Sequence, residues 1–327
     1  MENISSNTKI YENGNIFEGD IKNNKKNGFG KMIYANGNVY NGEWVDNNIN
    51  GEGIMTYANG NVYEGDWEDN EKNGSGRMTY ITGSVYEGDW EYNKKNGLGI
   101  MIYSNGNVYD GDWEDNDKNG KGKMIYSNGD VYRGDWDVNN QNGKGKMIYS
   151  NGDVYWGHWR NNNQHGIGKM TFSNGDVYHG YWKYNNQHGI GKMIYSNGDL
   201  YDGEYNNGYI HGKGTMIYST GDAYHGYWRN DKQTGIGKMI YSNGDLYDGE
   251  YNNGYIHGKG TMIYSNGDVS DGSWEYNDMV EGTVNYANGE IKQIKLNIEV
   301  ILPYSNGTEF YNKWWKDEFE RKNVALK

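Results

Sequence analysis

Glycine recurs along this chain with a fixed period: Gly19, Gly42, Gly65, Gly88, Gly111, Gly134, Gly157, Gly180, Gly203, Gly226, Gly249 and Gly272 stand 23 residues apart without exception. A strict period of this length belongs to repeat architectures, in which one unit cannot bury its own apolar face and must stack on its neighbours. Around each glycine lies a frame of the kind Tyr63-Glu64-Gly65-Asp66-Trp67, a polar stretch, Gly74-Ser75-Gly76, Met78-Thr79-Tyr80 and a turn glycine, Gly83. Of the 51 glycines, 48 fall in four slots of this frame, and every methionine apart from Met1 and Met279 falls in one. The glycine content is therefore a property of the repeat and does not signal disorder.

Within the frame the residues alternate. Tyr63, Gly65 and Trp67 share one face and Val62, Glu64 and Asp66 the other, which is the pattern of a strand. Gly74, Gly76, Met78 and Tyr80 alternate against Arg77 and Thr79 as the partner strand. Asn-Gly pairs such as Asn59-Gly60 and Asn105-Gly106 mark a tight turn that needs positive φ. Each unit reads as strand, polar loop, strand, Asn-Gly turn. A ring from a neighbouring strand lies flat only where a Cβ is missing, so the alternate glycines predict an interlock of ring and gap. The opposite face carries a Val/Leu stripe (Val39, Val62, Val108, Leu200) and an Ile/Thr stripe (Ile33, Thr56, Ile102, Ile217). The expected fold is all-β, a single-layer antiparallel array of hairpins forming an elongated, twisted sheet. Twenty-four strands at about 4.8 Å would span roughly 110 Å.

The ends depart from the frame as caps do. Residues 1–16 hold a partial unit, Lys9 to Gly14, and residues 17–289 hold twelve copies, the last with Val280 in the place of the first paired glycine. Residues 290–327 predict a final strand through Ile294, Leu296, Ile298, Val300 and Leu302. An amphipathic capping helix follows from Glu309 towards Asn323, with Phe310, Trp314 and Phe319 on one face and Trp315 beside them. Such a helix can cover the last strand edge or dock on a partner.

Composition narrows the function classes. A formal net charge of -13 argues against a nucleic-acid footprint, which needs clustered Lys and Arg, and disfavours anionic membrane. Cysteine is absent, so disulfides and thiolate metal sites are excluded. The first residues lack the basic and apolar segments of a secretory signal, which sets a cytoplasmic location as the expectation. Abundant Asn, Lys, Ile and Tyr have AT-rich codons.

The unit Tyr-x-Gly-x-Trp, followed by a loop, Gly-x-Gly, an aromatic and a turn glycine, resembles the MORN (membrane occupation and recognition nexus) repeat over residues 9–289. The resemblance implies stacked antiparallel hairpins in one extended sheet. Proteins with these repeats include phosphatidylinositol phosphate kinases, junctophilins, cytoskeletal scaffolds and histone-lysine methyltransferases. In these the repeats are accessory, and partner binding, dimerisation and lipid contact have been proposed for them. Here the loops Glu68-Asp69-Asn70-Glu71 and Glu114-Asp115-Asn116-Asp117 are acidic, against lipid.

Among candidate sites, Asp115-Asn116-Asp117-Lys118-Asn119-Gly120 resembles the opening of a calcium loop, yet Tyr126 stands where a bidentate Glu is needed. His165, His188, His211 and His257 share a slot, read as a solvated loop end. Equivalent slots lie two strands apart, about 9.6 Å, too far for one zinc ion to bind two of them. The aromatic face is the expected partner-binding surface, since large rigid aromatics anchor interfaces. It comprises Tyr40, Trp44, Tyr57, Tyr63, Trp67, Tyr80, Tyr86, Trp90, Tyr103, Tyr109, Trp113, Tyr126, Tyr132, Trp136, Tyr149, Tyr155, Trp159, Tyr178, Trp182 and Tyr195. No copy holds a privileged set of nucleophile, base and oxyanion donors. The expectation is a non-enzymatic scaffold without cofactor or metal that binds other proteins, with homo-oligomerisation compatible. A phosphoinositide-binding membrane module is the alternative, and an extracellular glycan-binding array a third reading.

Overall fold

A computed structural model describes residues 6–295. They form one antiparallel sheet of 26 strands, β1 (Ser6–Ile10) to β26 (Ile291–Lys295), with no helix among the described residues. Each strand pairs with its sequence neighbours, as β3 (Lys25–Ile33) does with β4 (Val39–Val45) and β4 with β5 (Asn48–Thr56). Among the described residues β1 pairs only with β2 (Ile16–Lys22) and β26 only with β25 (Asp278–Asn285), so the described sheet does not close on itself. The all-β hairpin array is as expected. The helix carrying Phe310, Trp314, Trp315 and Phe319, and the strand beyond Lys295, lie outside the described residues.

The polar loop of the sequence reading is a tight turn. Asp46 and Asn47 have φ of 48° and 75° between the paired Val45 and Asn48, a two-residue turn with both residues left-handed, which suits the right-handed twist of the flanking strands. The second strand therefore starts three residues earlier than the glycine pair suggests. Asx residues tolerate this conformation, and that is one reason Asn is abundant. The Asn-Gly connection is instead a three-residue loop. Tyr57 and Asn61 close it, Gly60 N–H donates to Tyr57 O at 2.9 Å, and only Gly60, at φ 87°, is left-handed.

Both turns clasp the adjoining repeat. Asn47 N–H donates to Lys26 O at 3.0 Å while its side-chain oxygen accepts Lys26 N–H at 2.9 Å. At the opposite end Asn38 Oδ1 accepts Ala58 N–H at 2.9 Å, and Asp176 accepts Ser196 N–H at 2.7 Å in the same way. The Asn content is thus structural as well as a matter of codons.

The strict alternation also fails at one point. Gly42 pairs with Gly53 and Trp44 with Ile49, so Asn50, Gly51 and Glu52 face Glu43 alone. This bulge turns the first paired glycine off the aromatic face: a Cβ on Gly74 would meet the Asp66 carboxylate at 2.7 Å, and φ there is +85°. The bulge frees one backbone N–H, and the acid between glycine and tryptophan accepts it. Asp66 Oδ2 bonds Ser75 N–H at 2.9 Å and Asp89 Oδ2 bonds Leu98 N–H at 3.0 Å. The Asp of the repeat is a cap for its own bulge.

The clasping aspartates supply a pH prediction. Backbone N–H groups of Ser196, Ser219, Ser242 and Ser265 hold Asp176, Asp199, Asp222 and Asp245 below the ordinary value of 3.8. A carboxylate with a lowered native pKa adds stability that is present above that ordinary value and lost as pH falls through the native one. The N-terminal repeats clasp through Asn38, Asn61, Ser84 and Asn107, which do not titrate. Hydrogen exchange, corrected for intrinsic rates, is expected to show the repeats after Asp130 losing protection first between about pH 4 and pH 3.

Candidate interaction surface

The core is a single row of interlocked rings. Tyr63 OH donates to Asp66 O at 3.0 Å, which lays the ring across Gly65 and Gly76, and a Cβ on Gly76 would sit 2.2 Å from that hydroxyl. The tryptophan reaches back to the preceding repeat: Trp44 Nε1 donates to Gly30 O at 3.0 Å and Trp113 Nε1 to Gly99 O at 3.0 Å. From Trp67 to Trp182 the core indoles stand edge-on between two tyrosines, as Trp90 does between Tyr63 at 5.3 Å and Tyr86 at 5.2 Å. Such contacts chain unbroken from Phe17 to Trp274. T-shaped pairs add about 0.5–1.5 kcal/mol beyond their buried area, so every repeat is coupled to the next.

This packing revises the expected binding surface. Tyr40, Tyr63, Tyr86, Tyr109, Tyr132, Tyr155 and Tyr178 are fully buried. Trp44, Trp67, Trp90, Trp113, Trp136, Trp159 and Trp182 are buried with them, filling the troughs that the glycines leave. They are the core and not a free face. Tyr57, Tyr80, Tyr103, Tyr126, Tyr149 and Tyr195 are half-buried beside it. Tyr126 accepts from Gln141 Nε2 at 2.9 Å, and burial pushes its hydroxyl up to about 12.

Lysine fills the Gln141 slot in earlier repeats. Lys95 Nζ stands 4.3 Å from the Trp113 ring centroid and Lys72 Nζ 4.4 Å from that of Trp90. Burial lowers both amines to about 8.

Two repeats replace the tryptophan by Tyr205 and Tyr251. Without an indole N–H the bond to the preceding repeat is absent, and Tyr251 OH is buried with no partner among the described residues. Burial drives that hydroxyl far above the usual phenol range. Trp44 packs beside a buried Ile49 just as Tyr251 packs beside Ile256, so an indole is compatible with the isoleucine. Tyr251→Trp is expected to raise stability by about 1 kcal/mol through a bond to Gly237 O, read as a higher urea midpoint at unchanged m-value. In the last hairpin Ser270 replaces the tyrosine, and the Met279 methyl lies over Gly272 and Gly282 where the ring would be.

Other candidates resolve without chemistry. Asp115 and Asn116 are the two residues of a hairpin turn, with φ of 50° and 77°, and Lys94 Nζ pairs with Asp115 at 2.9 Å. The histidines sit within strands and not at loop ends. All four are half-buried, with His165 edge-on to Tyr181 at 6.1 Å. Among the described residues no group of acids and histidines could hold a metal ion, and no helix is long and apolar enough to cross a membrane.

The exposed surface is the opposite face. Large apolar side chains stand out on it: Phe29, Leu98 and Ile100 in the N-terminal half, and Trp156 (63% exposed), Ile167 and Ile190 further along. Two shallow hollows lie among them. One of about 1140 Å³ is walled by Phe29, Ile54, Leu98, Glu64, Glu87 and Asp110. A second, of about 620 Å³, is walled by His158, Arg160, His165, Ile167 and Tyr181. The repeat consensus does not reveal these residues. Each occupies a slot that varies between copies, and Trp156 stands where Glu64 and Glu87 stand in sister repeats.

The class defined by this geometry is an open, single-layer hairpin repeat array. The MORN repeat model matches eleven consecutive units, from residues 17–39 to 247–269, and the chain belongs to the MORN repeat family. The twelfth hairpin, with Ser270 for tyrosine, is not matched. No curated protein matches the chain. Solved structures that align include the TCP10 domain of Danio rerio CPAP in complex with a STIL peptide, at 11% identity and TM-score 0.21 over 89% of this chain and 99% of that one. The SAS-4 (dCPAP) TCP domain of Drosophila melanogaster with a proline-rich motif of Ana2 aligns at 13% and 0.23 over 68% and 90%. A streptogramin B lyase aligns at 14% and 0.16 over 77% and 85%. Likeness at this level does not extend to a shared global shape.

Proposed function

We propose that this MORN repeat protein is a non-catalytic scaffold that holds other proteins along its exposed sheet face. One observation carries the reading: the aromatic side is consumed by packing, while the other side presents Phe29, Leu98, Trp156, Ile167 and Ile190 to solvent on one rigid support. Exposed apolar patches with a polar surround mark interaction surfaces. A repeat array offers many such surfaces at fixed spacing, which gives avidity to a multivalent partner. The near-duplication of residues 180–225 as 226–271 fits selection for length. The setting proposed is intracellular.

Cross-linking mass spectrometry on the full chain in its native cell tests this. Cross-links from exposed-face lysines to a defined protein support it. Their absence, together with flotation of the chain on phosphoinositide liposomes, would establish the membrane reading instead.

A further inference from the structure

One stretch of the exposed face breaks the charge pattern of the whole chain. Between Asn140 and Tyr195 there are six Lys and Arg against two aspartates, in a chain of net charge -13. Both aspartates, Asp153 and Asp176, are occupied in turn clasps to Ser173 and Ser196. Five strands carry the feature: β13 (Asn140–Ile148), β14 (Val154–Arg160), β15 (Asn163–Thr171), β16 (Val177–Lys183) and β17 (Asn186–Ile194).

The register places the cations in a line. Lys146 pairs with Trp156, Trp156 with Lys169, Lys169 with His179 and His179 with Lys192. On the near side Lys146 is registered with Arg133. The same slots elsewhere include opposite charges face to face, as in Glu64 with Arg77 and Asp110 with Lys123. Arg133 and Lys146 stand directly opposite, which is destabilising, and from Arg133 to Lys192 no acid stands in the line, so Lys146 and Lys169 have no cross-strand carboxylate partner within the fold. Lys146, Trp156, Lys169 and Lys192 are all exposed. The ion pairs among the described residues form at Lys25, Lys94, Lys121 and Lys295, and not along this line.

A second departure lies beside the first. The acid that caps the bulge is replaced by His158 and Tyr181, so the N–H groups of Ile167 and Ile190 lack the carboxylate that Ser75 and Leu98 receive from Asp66 and Asp89. Ile167 is registered against Tyr181. An apolar row thus runs parallel to the cationic one, over the hollow of about 620 Å³.

We propose that this face of the sixth to eighth repeats binds an extended acidic peptide, its carboxylates on Lys146, Lys169 and Lys192 and its apolar groups on Trp156, Ile167 and Ile190. The proposal rests on the scaffold reading and names its partner chemistry. Spacing favours a peptide in the polyproline II conformation. Lys146, Lys169 and Lys192 repeat every two strands, about 9.6 Å, and a polyproline II chain brings every third side chain to one side at about 9.3 Å. Acid at every third residue therefore meets each lysine in turn. Charge selects against a membrane: the line is short and flanked by Asp110 and Asp202, so a flat anionic surface would also face the acidic repeats on either side, whereas a single narrow chain does not.

The test uses the full-length chain and a fluorescein-labelled peptide of Glu-Pro-Pro triplets, read by anisotropy. Binding is expected, and it should weaken as salt rises. The Gln-Pro-Pro analogue and a scrambled peptide with its glutamates adjacent should bind roughly tenfold more weakly, as should K146E/K169E and W156A variants. K238E, which changes the same slot in a distant repeat, should bind like the wild type. Unchanged thermal unfolding of K146E/K169E separates lost binding from lost structure. Equal binding of the scrambled peptide, or equal weakening by K238E, overturns the proposal. So does flotation on phosphatidylserine-containing vesicles by a chain that ignores the peptide. If K146E/K169E keeps the same cellular protein cross-links as the wild type and the peptide does not bind, the site is refuted and the scaffold stands. If the wild type has no protein cross-links, the scaffold reading falls first.

Discussion

Gly145→Ala is expected to cost about 3 kcal/mol and to divide one cooperative unfolding transition into two. The methyl would lie 2.4 Å from Tyr132 Cε2 and from its hydroxyl oxygen, with backbone beneath and no space to yield. The ring must leave its trough, and with it go its hydroxyl bond to Asp135 O and its edge contacts to Trp136 and Trp159, both at 5.3 Å. Gly145 has no positive φ, so the effect is steric and not conformational. Denaturant unfolding followed by fluorescence and by far-ultraviolet circular dichroism checks it. Coincident transitions with a shift of a few tenths of a kcal/mol would refute the interlock.

Trp113→Ala removes more. The indole lies between Tyr86 at 5.3 Å and Tyr109 at 5.1 Å, carries Lys95 on its face and bonds Gly99 O. Its loss leaves a cavity at the seam of two repeats and an unpaired carbonyl, for about 3–5 kcal/mol. Trp113→Phe keeps one aromatic ring but loses the N–H and part of the indole volume, and should recover roughly half of that, leaving about 2 kcal/mol lost. Equilibrium urea unfolding of the two variants separates packing from hydrogen bonding. Equal destabilisation by both would mean that the indole N–H dominates.

The strands were legible because Tyr63, Gly65 and Trp67 alternate over enough residues to exclude a helix, and because twelve copies repeat the signal. The ring-over-glycine interlock was legible for a steric reason: nothing else explains a glycine in the Gly76 slot opposite an aromatic in eleven of the twelve units. The bulge was not, because alternation fails at a backbone angle and not at a residue type, and Gly74 looks like Gly76 in sequence. Nor was the two-residue turn, since Asp69-Asn70 reads as generic polar loop until its left-handed conformation is seen. The aromatic face misled for the opposite reason. The rings that give a partner a good anchor also give the repeat its core, and only the depth of the glycine trough decides that Tyr63 belongs to the core. Trp156 carried a signal of its own, a large aromatic in a slot its sisters fill with acid.

Coupling between adjacent repeats, with no unit essential in itself, is most directly tested by excising residues 180–225, which joins His179 to Gly226 in frame. The shortened chain is predicted to fold into the same sheet minus two repeats. It should show an unchanged circular dichroism shape, a proportionally smaller m-value and a melting temperature lower by only a few degrees. A chain that fails to fold, or one whose m-value does not fall, would contradict the account.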